Sequence, residues 1–181
     1  MNNFGRKSMN PNNMKENNKT NKLINVLFII YLIALFWILL FKFGVRFSYM
    51  ENRNVNLIPF AKIDVAVIIL NVVIFVPLGI YAGVLFKRWG FVKKLFFFFL
   101  ISLMFEGLQF IFKIGAFDIT DIITNVLGGI IGSLIFEAIE KLFNSSVRSQ
   151  KFITIIAAIG TALMISLLLL LKLNMLPVRY Q

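Results

Sequence analysis

The sequence predicts an all-α fold, a polytopic transmembrane helix bundle of about five spans with its N-terminus inside and its C-terminus outside. Three observations carry that expectation. The 181 residues are 59% hydrophobic with a mean hydropathy of +0.86, whereas soluble domains hold roughly 45–50% apolar residues. The apolar residues fall into five runs, each close to the ~20 residues a helix needs to cross the hydrocarbon. The ten-residue alternation of a membrane barrel strand is absent from all five.

The elements follow in order. Residues 1–22 are rich in Asn and Lys without apolar periodicity and are expected to form a disordered cytoplasmic tail. Residues 23–41 are an uncharged apolar run, too long for the apolar core of a secretory signal and lacking a small-residue cleavage pattern, so they read as an uncleaved anchor. A loop over 42–64 ends in Asn56-Leu57-Ile58-Pro59-Phe60. Residues 65–86 form the second span, with Asn71 near its start and Pro77 and Gly79 in its middle. Residues 95–112 form the third, Phe-rich at first and then polar at Glu106 and Gln109. A short loop over 113–121 carries Asp118 and Asp121. The fourth span covers 122–139 and the fifth 152–171, separated by a basic loop. The domain reading is a tail over 1–22, a four-span membrane domain over 23–139, and a basic loop plus fifth span over 140–181.

Orientation rests on Lys and Arg. With the N-terminus inside, twelve basic residues fall in cytoplasmic segments and seven outside. The loop holding Lys87, Arg88, Lys93 and Lys94 weighs most, because short loops obey the positive-inside rule best. The formal net charge of +11 is accounted for by this bias and by attraction to anionic head groups. The basic residues are dispersed over loops, so no nucleic-acid partner is expected.

The chain has no Cys and no His. Disulfides, Cys/His zinc sites and His-dependent nucleophile systems are therefore excluded, and no cofactor or metal site is expected. A metal would need carboxylates alone, such as Mg²⁺ on Asp118 and Asp121, and the spacing does not demand one.

What remains is a set of polar residues where lipid penalises them. A mid-membrane Asp costs about 2.5–3.5 kcal/mol on insertion scales. At about 1.5 Å of rise per residue, Asn71 and Glu106 lie roughly 9 Å inside the outer ends of their spans. Asn125 lies roughly 5 Å inside on the same scale, with Asp118 and Asp121 at the mouth of the fourth span. Three helices thus present polar groups at one level. Glu106 and Gln109 share a helix face, with Ser102 one turn before; Asp121 and Asn125 share another. Two roles are open for Asp118, site member or helix N-cap. Glu106 has no capping role available and is paired inside the bundle, protonated, or part of a site. Gly128, Gly129 and Gly132, like Gly79 and Gly83, fit close helix packing with no chemistry attached. Pro77 is expected to bend its helix and free a carbonyl. Glu137 and Glu140 beside Lys141 read as a solvated helix end.

Four ordered blocks resemble the VanZ-like family: Asn56-Leu57-Ile58-Pro59-Phe60; Asn71 with Phe75-Val76-Pro77-Leu78-Gly79; Glu106-x-x-Gln109; and Phe117-Asp118-x-x-Asp121-x-x-x-Asn125-x-x-Gly128-x-x-x-Gly132. The resemblance covers residues 23–139. It implies a multi-pass protein of the bacterial cell membrane, and its namesake is associated with resistance to the glycopeptide teicoplanin. Many members carry an Arg shortly before the first Asp; this chain reads Lys113-Ile114-Gly115-Ala116 instead, so either Lys113 supplies the positive charge from a different position or none is supplied.

Three functions compete. The first is an envelope protein that lowers glycopeptide action through an outward-facing pocket for a lipid-linked or peptidoglycan-related ligand. In it Glu106, Asp121 and Asn125 supply the polar contacts, Asn56, Asn71, Gln109 and Asp118 complete the ligand-binding candidates, and residues 56–60 form a re-entrant or interfacial lid. The second is a membrane-embedded enzyme with Glu106 and Asp121 as acid and base on an envelope precursor. The third is a small transporter or structural partner whose polar groups specify packing. Membrane lipids are the expected surroundings in each case.

Overall fold

The computed structural model describes residues 11–40, 55–61, 64–112, 116–143 and 146–172. Five helices account for most of them: α1 (Pro11–Leu40), α2 (Val65–Leu85), α3 (Phe91–Ile111), α4 (Ile119–Phe143) and α5 (Ser146–Lys172). Two short strands, β1 (Val55–Asn56) and β2 (Phe117–Asp118), pair in parallel, with Val55 opposite Phe117 and Asn56 opposite Asp118. Among the described residues, four helices are long and apolar enough to cross a membrane, within 19–37 of α1 and over the lengths of α2, α3 and α4. The fifth expected span lies within α5.

Helix ends depart from the sequence expectation for local reasons. α1 begins at Pro11 and not at residue 23, so 11–22 are helical where a disordered tail was expected. Pro is pre-set for the first helical position, and the Met, Lys and Glu that follow are good helix formers. α3 starts four residues early because Lys93 and Lys94 join its first turn. α4 starts three residues early, at the cap that Asp118 provides, and runs past Ile139 through Glu140 and Lys141. At that end Glu140 is not simply solvated: Lys87 reaches it at 2.8 Å from the turn after α2.

The bundle is organised around α2 against α4. Gly79 faces the backbone of Gly129 and Gly132, and a side-chain carbon built at Gly132 would collide with the Val76 carbonyl. Such contact is possible only where both surfaces lack side chains. Ser133 adds a bond, its hydroxyl donating to the Gly79 carbonyl at 3.3 Å. Phe98 of α3 covers Gly129, and Phe136 of α4 covers Gly83. Phe75, Leu78, Phe98, Phe105 and Phe136 are buried in this core. α1 packs alongside, its Tyr31 hydroxyl donating to the Ile74 carbonyl at 2.7 Å. Trp37, Phe36, Ile33 and Ile29 of α1 stay exposed, as residues facing lipid would.

Candidate functional site

The polar residues gather where α2 begins, α3 ends and α4 begins. Asp118 caps α4, its Oδ1 accepting the Thr120 N–H at 2.8 Å. Its other oxygen accepts from Asn56 Nδ2 at 3.0 Å, across the β1–β2 pair. Of the two roles left open for Asp118, the cap is the one these bonds show, while the second oxygen ties it to Asn56. A carboxylate at this position is also favoured by the α4 dipole.

Glu106 is 2% exposed, near the end of α3. Its Oε2 accepts the backbone N–H of Asp118 at 3.1 Å, which ties the α3 carboxylate to the start of α4. Gln109, one turn on along the same face, is buried too.

Asn71 of α2 is buried. It donates to Asp121 Oδ1 at 2.7 Å and to Thr124 Oγ1 at 3.3 Å. The Thr124 hydroxyl lies within donating reach of the Thr120 carbonyl at 2.9 Å and that of Asp121 at 3.2 Å. Deeper on α4, Asn125 Nδ2 donates to Ser102 of α3 at 2.9 Å. Asn125 Oδ1 is buried and, among the described residues, accepts no hydrogen bond. An unpaired buried acceptor of this kind costs about 1–3 kcal/mol.

The segment after β1 straps over this mouth. Phe60 donates its backbone N–H to Thr120 Oγ1 at 3.0 Å, and Ile58 donates to Asn56 Oδ1 at 3.2 Å. Phe60 holds a φ of 58°, a left-handed conformation that a bulky residue adopts only when its surroundings impose it. Leu57, Ile58 and Phe60 are exposed. The strap therefore presents an apolar outer face and a polar inner one.

All seven sequence-selected residues sit at this end of the bundle, and the start of α4 with its cap Asp118 is where the bonds of Asn56, Asn71 and Glu106 converge. α2 reaches it through Asn71–Asp121, α3 through Glu106–Asp118 and Ser102–Asn125, and the strap through Asn56–Asp118. The arrangement is a ladder of cross-helix pairs ascending α4. Sequence reasoning passed over Thr120 and Thr124, which share a face of α4 and each receive a bond from another element. The signal was present, since two Thr one turn apart interleave with Asp121 and Asn125. Lys113 lies outside the described residues. Among those residues, no group of three carboxylates is placed to hold a metal, and both oxygens of Asp118 already accept hydrogen bonds.

The chain matches the VanZ/LLP1 family over residues 28–140, the span that contains every element of this site. It belongs to the VanZ/LLP1 family. It is 40% identical over 144 residues to Protein VanZ of Enterococcus faecium, an alignment covering 77% of this chain and 86% of that protein. No solved structure matches the chain. Family membership and four membrane-length apolar helices make this a VanZ-like membrane protein.

Proposed function

We propose that this VanZ-family protein crosses the bacterial cell membrane five times, N-terminus inside and C-terminus outside. It lowers the action of teicoplanin-like glycopeptides through the polar mouth of α4, facing outward. The glycopeptide link comes from the family's namesake. The outward orientation is supported by the basic loop of Lys87, Arg88, Lys93 and Lys94, which lies at the opposite end of α2 and α3 from the polar residues.

The observation that carries a site at this position is the pair of buried polar side chains on α3 and α4. Glu106 and Asn125 are 2% and 1% exposed, and the Asn125 carbonyl is left without a donor among the described residues. Packing alone does not favour leaving an acceptor unpaired. A lipid-linked or peptidoglycan-related ligand carries the amides and hydroxyls that would satisfy it. Asn56, Asp118 and the strap form the entrance, Asn71 and Asp121 fix α2 to α4 beside it, and Gln109 lies buried on the Glu106 face of α3.

The test is expression in a susceptible Gram-positive host, with teicoplanin susceptibility compared among the intact protein, Glu106→Gln and empty vector. Reduced susceptibility with the intact protein, lost with Glu106→Gln at equal membrane abundance, supports the reading. Equal susceptibility of intact and empty-vector cells overturns the resistance function. Retained protection by Glu106→Gln removes the need for its charge. A second reading draws on the burial of Glu106, because a desolvated carboxyl suits proton transfer. In it Glu106 and Asp121 act as acid and base on a lipid-linked precursor. Turnover of a labelled precursor by purified protein, abolished in Asp121→Asn, distinguishes it from binding alone.

A further inference from the structure

The opposite end of the bundle holds a second feature, and the α4 mouth takes no part in it. Where α2 ends, a pocket of about 580 Å³ is lined by Asn21 and Asn25 of α1, by Lys87, Arg88 and Trp89 after α2, and by Gln150 of α5. Three helices supply it, and apart from Val84, Leu85 and Phe86 its lining is cationic, amide or indole. Along the same seam runs a groove of about 420 Å³ lined by Tyr31, Ile74, Pro77, Tyr81, Ala157 and Gly160, among others. Its wall is almost entirely apolar.

The two are stacked. On α2 the lining passes from Val84 to Tyr81 and Ile80, and on α5 from Gln150 to Ile153, one turn in each case. The groove also opens outward, since Val73, Ile156 and Gly160 on its wall are exposed. A hydrocarbon chain from the surrounding bilayer can therefore enter sideways.

Charge selects the head. Lys87 is held by Glu140 at 2.8 Å and sits 5.3 Å from the centre of the Phe136 ring, so its charge is largely answered. Among the described residues Arg88 forms no ion pair. It is exposed on the pocket wall beside Trp89, which stacks on Phe86 at 4.4 Å between ring centres. Trp beside Arg at the end of a membrane helix is the arrangement expected at head-group level. A guanidinium matches phosphate oxygens in shape as well as charge. Asn25 adds an amide donor from α1, and Gln150 of α5, whose Nε2 already donates one hydrogen to Asn21 Oδ1, has a second to offer.

We propose that the seam between α1, α2 and α5 holds one anionic phospholipid, its phosphate at Arg88 with Asn25 and Gln150, and one acyl chain in the groove lined by Pro77 and Gly160. In the proposed orientation this is a lipid of the cytoplasmic leaflet, where anionic head groups meet basic pockets between helices. Lipid bound here would brace α5 against α1 and α2.

The experiment is native mass spectrometry of the full chain released from micelles doped with equal phosphatidylglycerol and phosphatidylcholine. The intact protein is expected to retain one lipid, predominantly phosphatidylglycerol. Arg88→Gln should lower the ratio of phosphatidylglycerol to phosphatidylcholine about fivefold, the effect of removing one basic residue near an anionic surface. Lys93→Gln, the same charge change on an exposed residue outside the pocket, should leave the ratio unchanged. Gly160→Leu projects into open space, with nothing within 4 Å of an added side-chain carbon. It should lower retention of both lipids alike by filling the groove. Ala157→Leu repeats that test if Gly160→Leu does not yield a folded protein, judged by its elution and melting. Equal loss in Arg88→Gln and Lys93→Gln would mean diffuse surface attraction and overturn the head-group site. Undiminished retention in both groove variants would overturn the chain site.

Discussion

The bond between Asn56 and Asp118 is the joint that holds the strap to α4, and its strength can be worked out. The pair is partly buried at 3.0 Å. Hydrogen bonds to charged groups contribute about 1.5–3 kcal/mol when dry, so a partly solvated one should contribute about 1 kcal/mol. Asp118 also caps α4 through Thr120, and loss of an N-cap costs about 1 kcal/mol. Asp118→Ala is therefore expected to destabilise by about 2 kcal/mol, and Asn56→Ala by about 1–1.5 kcal/mol including its exposed bond from Ile58. The double variant should fall short of additivity by the shared bond, a coupling of about 1 kcal/mol. The assay is reversible unfolding in mixed detergent micelles, followed by the fluorescence of Trp37 and Trp89. Asp118→Asn is the control, because it keeps an oxygen for the Thr120 N–H and loses the charge. A coupling below about 0.3 kcal/mol, with the cap loss of Asp118→Ala intact, would show that the strap does not depend on this pair.

Four further outcomes are expected. Gly132→Leu should prevent assembly or cost well over ~3 kcal/mol, since its side chain meets backbone that cannot move aside. Gly107→Ala, where nothing lies within 4 Å, should be neutral or stabilise by up to ~1 kcal/mol; melting of both proteins in detergent compares them. Asn71→Leu removes the 2.7 Å donor to Asp121 and should cost about 1–3 kcal/mol. The companion Asp121→Leu in that background should recover part of the loss, as a double-variant melt would show. Glu106→Ala should lose the acceptor for the Asp118 N–H, whereas Glu106→Gln keeps one, so amide exchange at Asp118 should accelerate only in the alanine variant.

Much of the fold was legible because lipid-length apolar runs admit few alternatives. That these polar residues would gather at one end was legible for the related reason that Asn71, Glu106 and Asn125 interrupt those runs at similar depth. Three things were not legible. The helical state of 11–22 depends on local propensity with no apolar period to advertise it. The β1–β2 pair joins segments 62 residues apart in sequence, and two-residue strands carry no alternation to read. The identity of the bonded partners was also hidden, because periodicity gives a residue's face but not the rotation of the helix opposite. Asn71 could equally have met Glu106; the glycine contact between α2 and α4 decides that it meets Asp121.

That contact explains how packing and polarity are linked. Gly79 against Gly129 and Gly132 brings α2 and α4 to backbone contact, two helical turns along α2 from Asn71. At such closeness a short Asn side chain spans the gap to Asp121 and Thr124 without intervening water. Wider spacing would strand the Asn71 amide in an apolar seam, where an unsatisfied group costs several kcal/mol in lipid. The polar bonds in turn fix the sliding register of two glycine-faced helices, which smooth surfaces alone specify weakly. Even a side-chain carbon at position 132 should therefore disrupt the polar mouth, about two turns from Asn125 and about four from Asp118. Comparing Asp118 amide exchange in Gly132→Ala with that in Gly107→Ala would reveal the coupling, and equal exchange in the two would refute it.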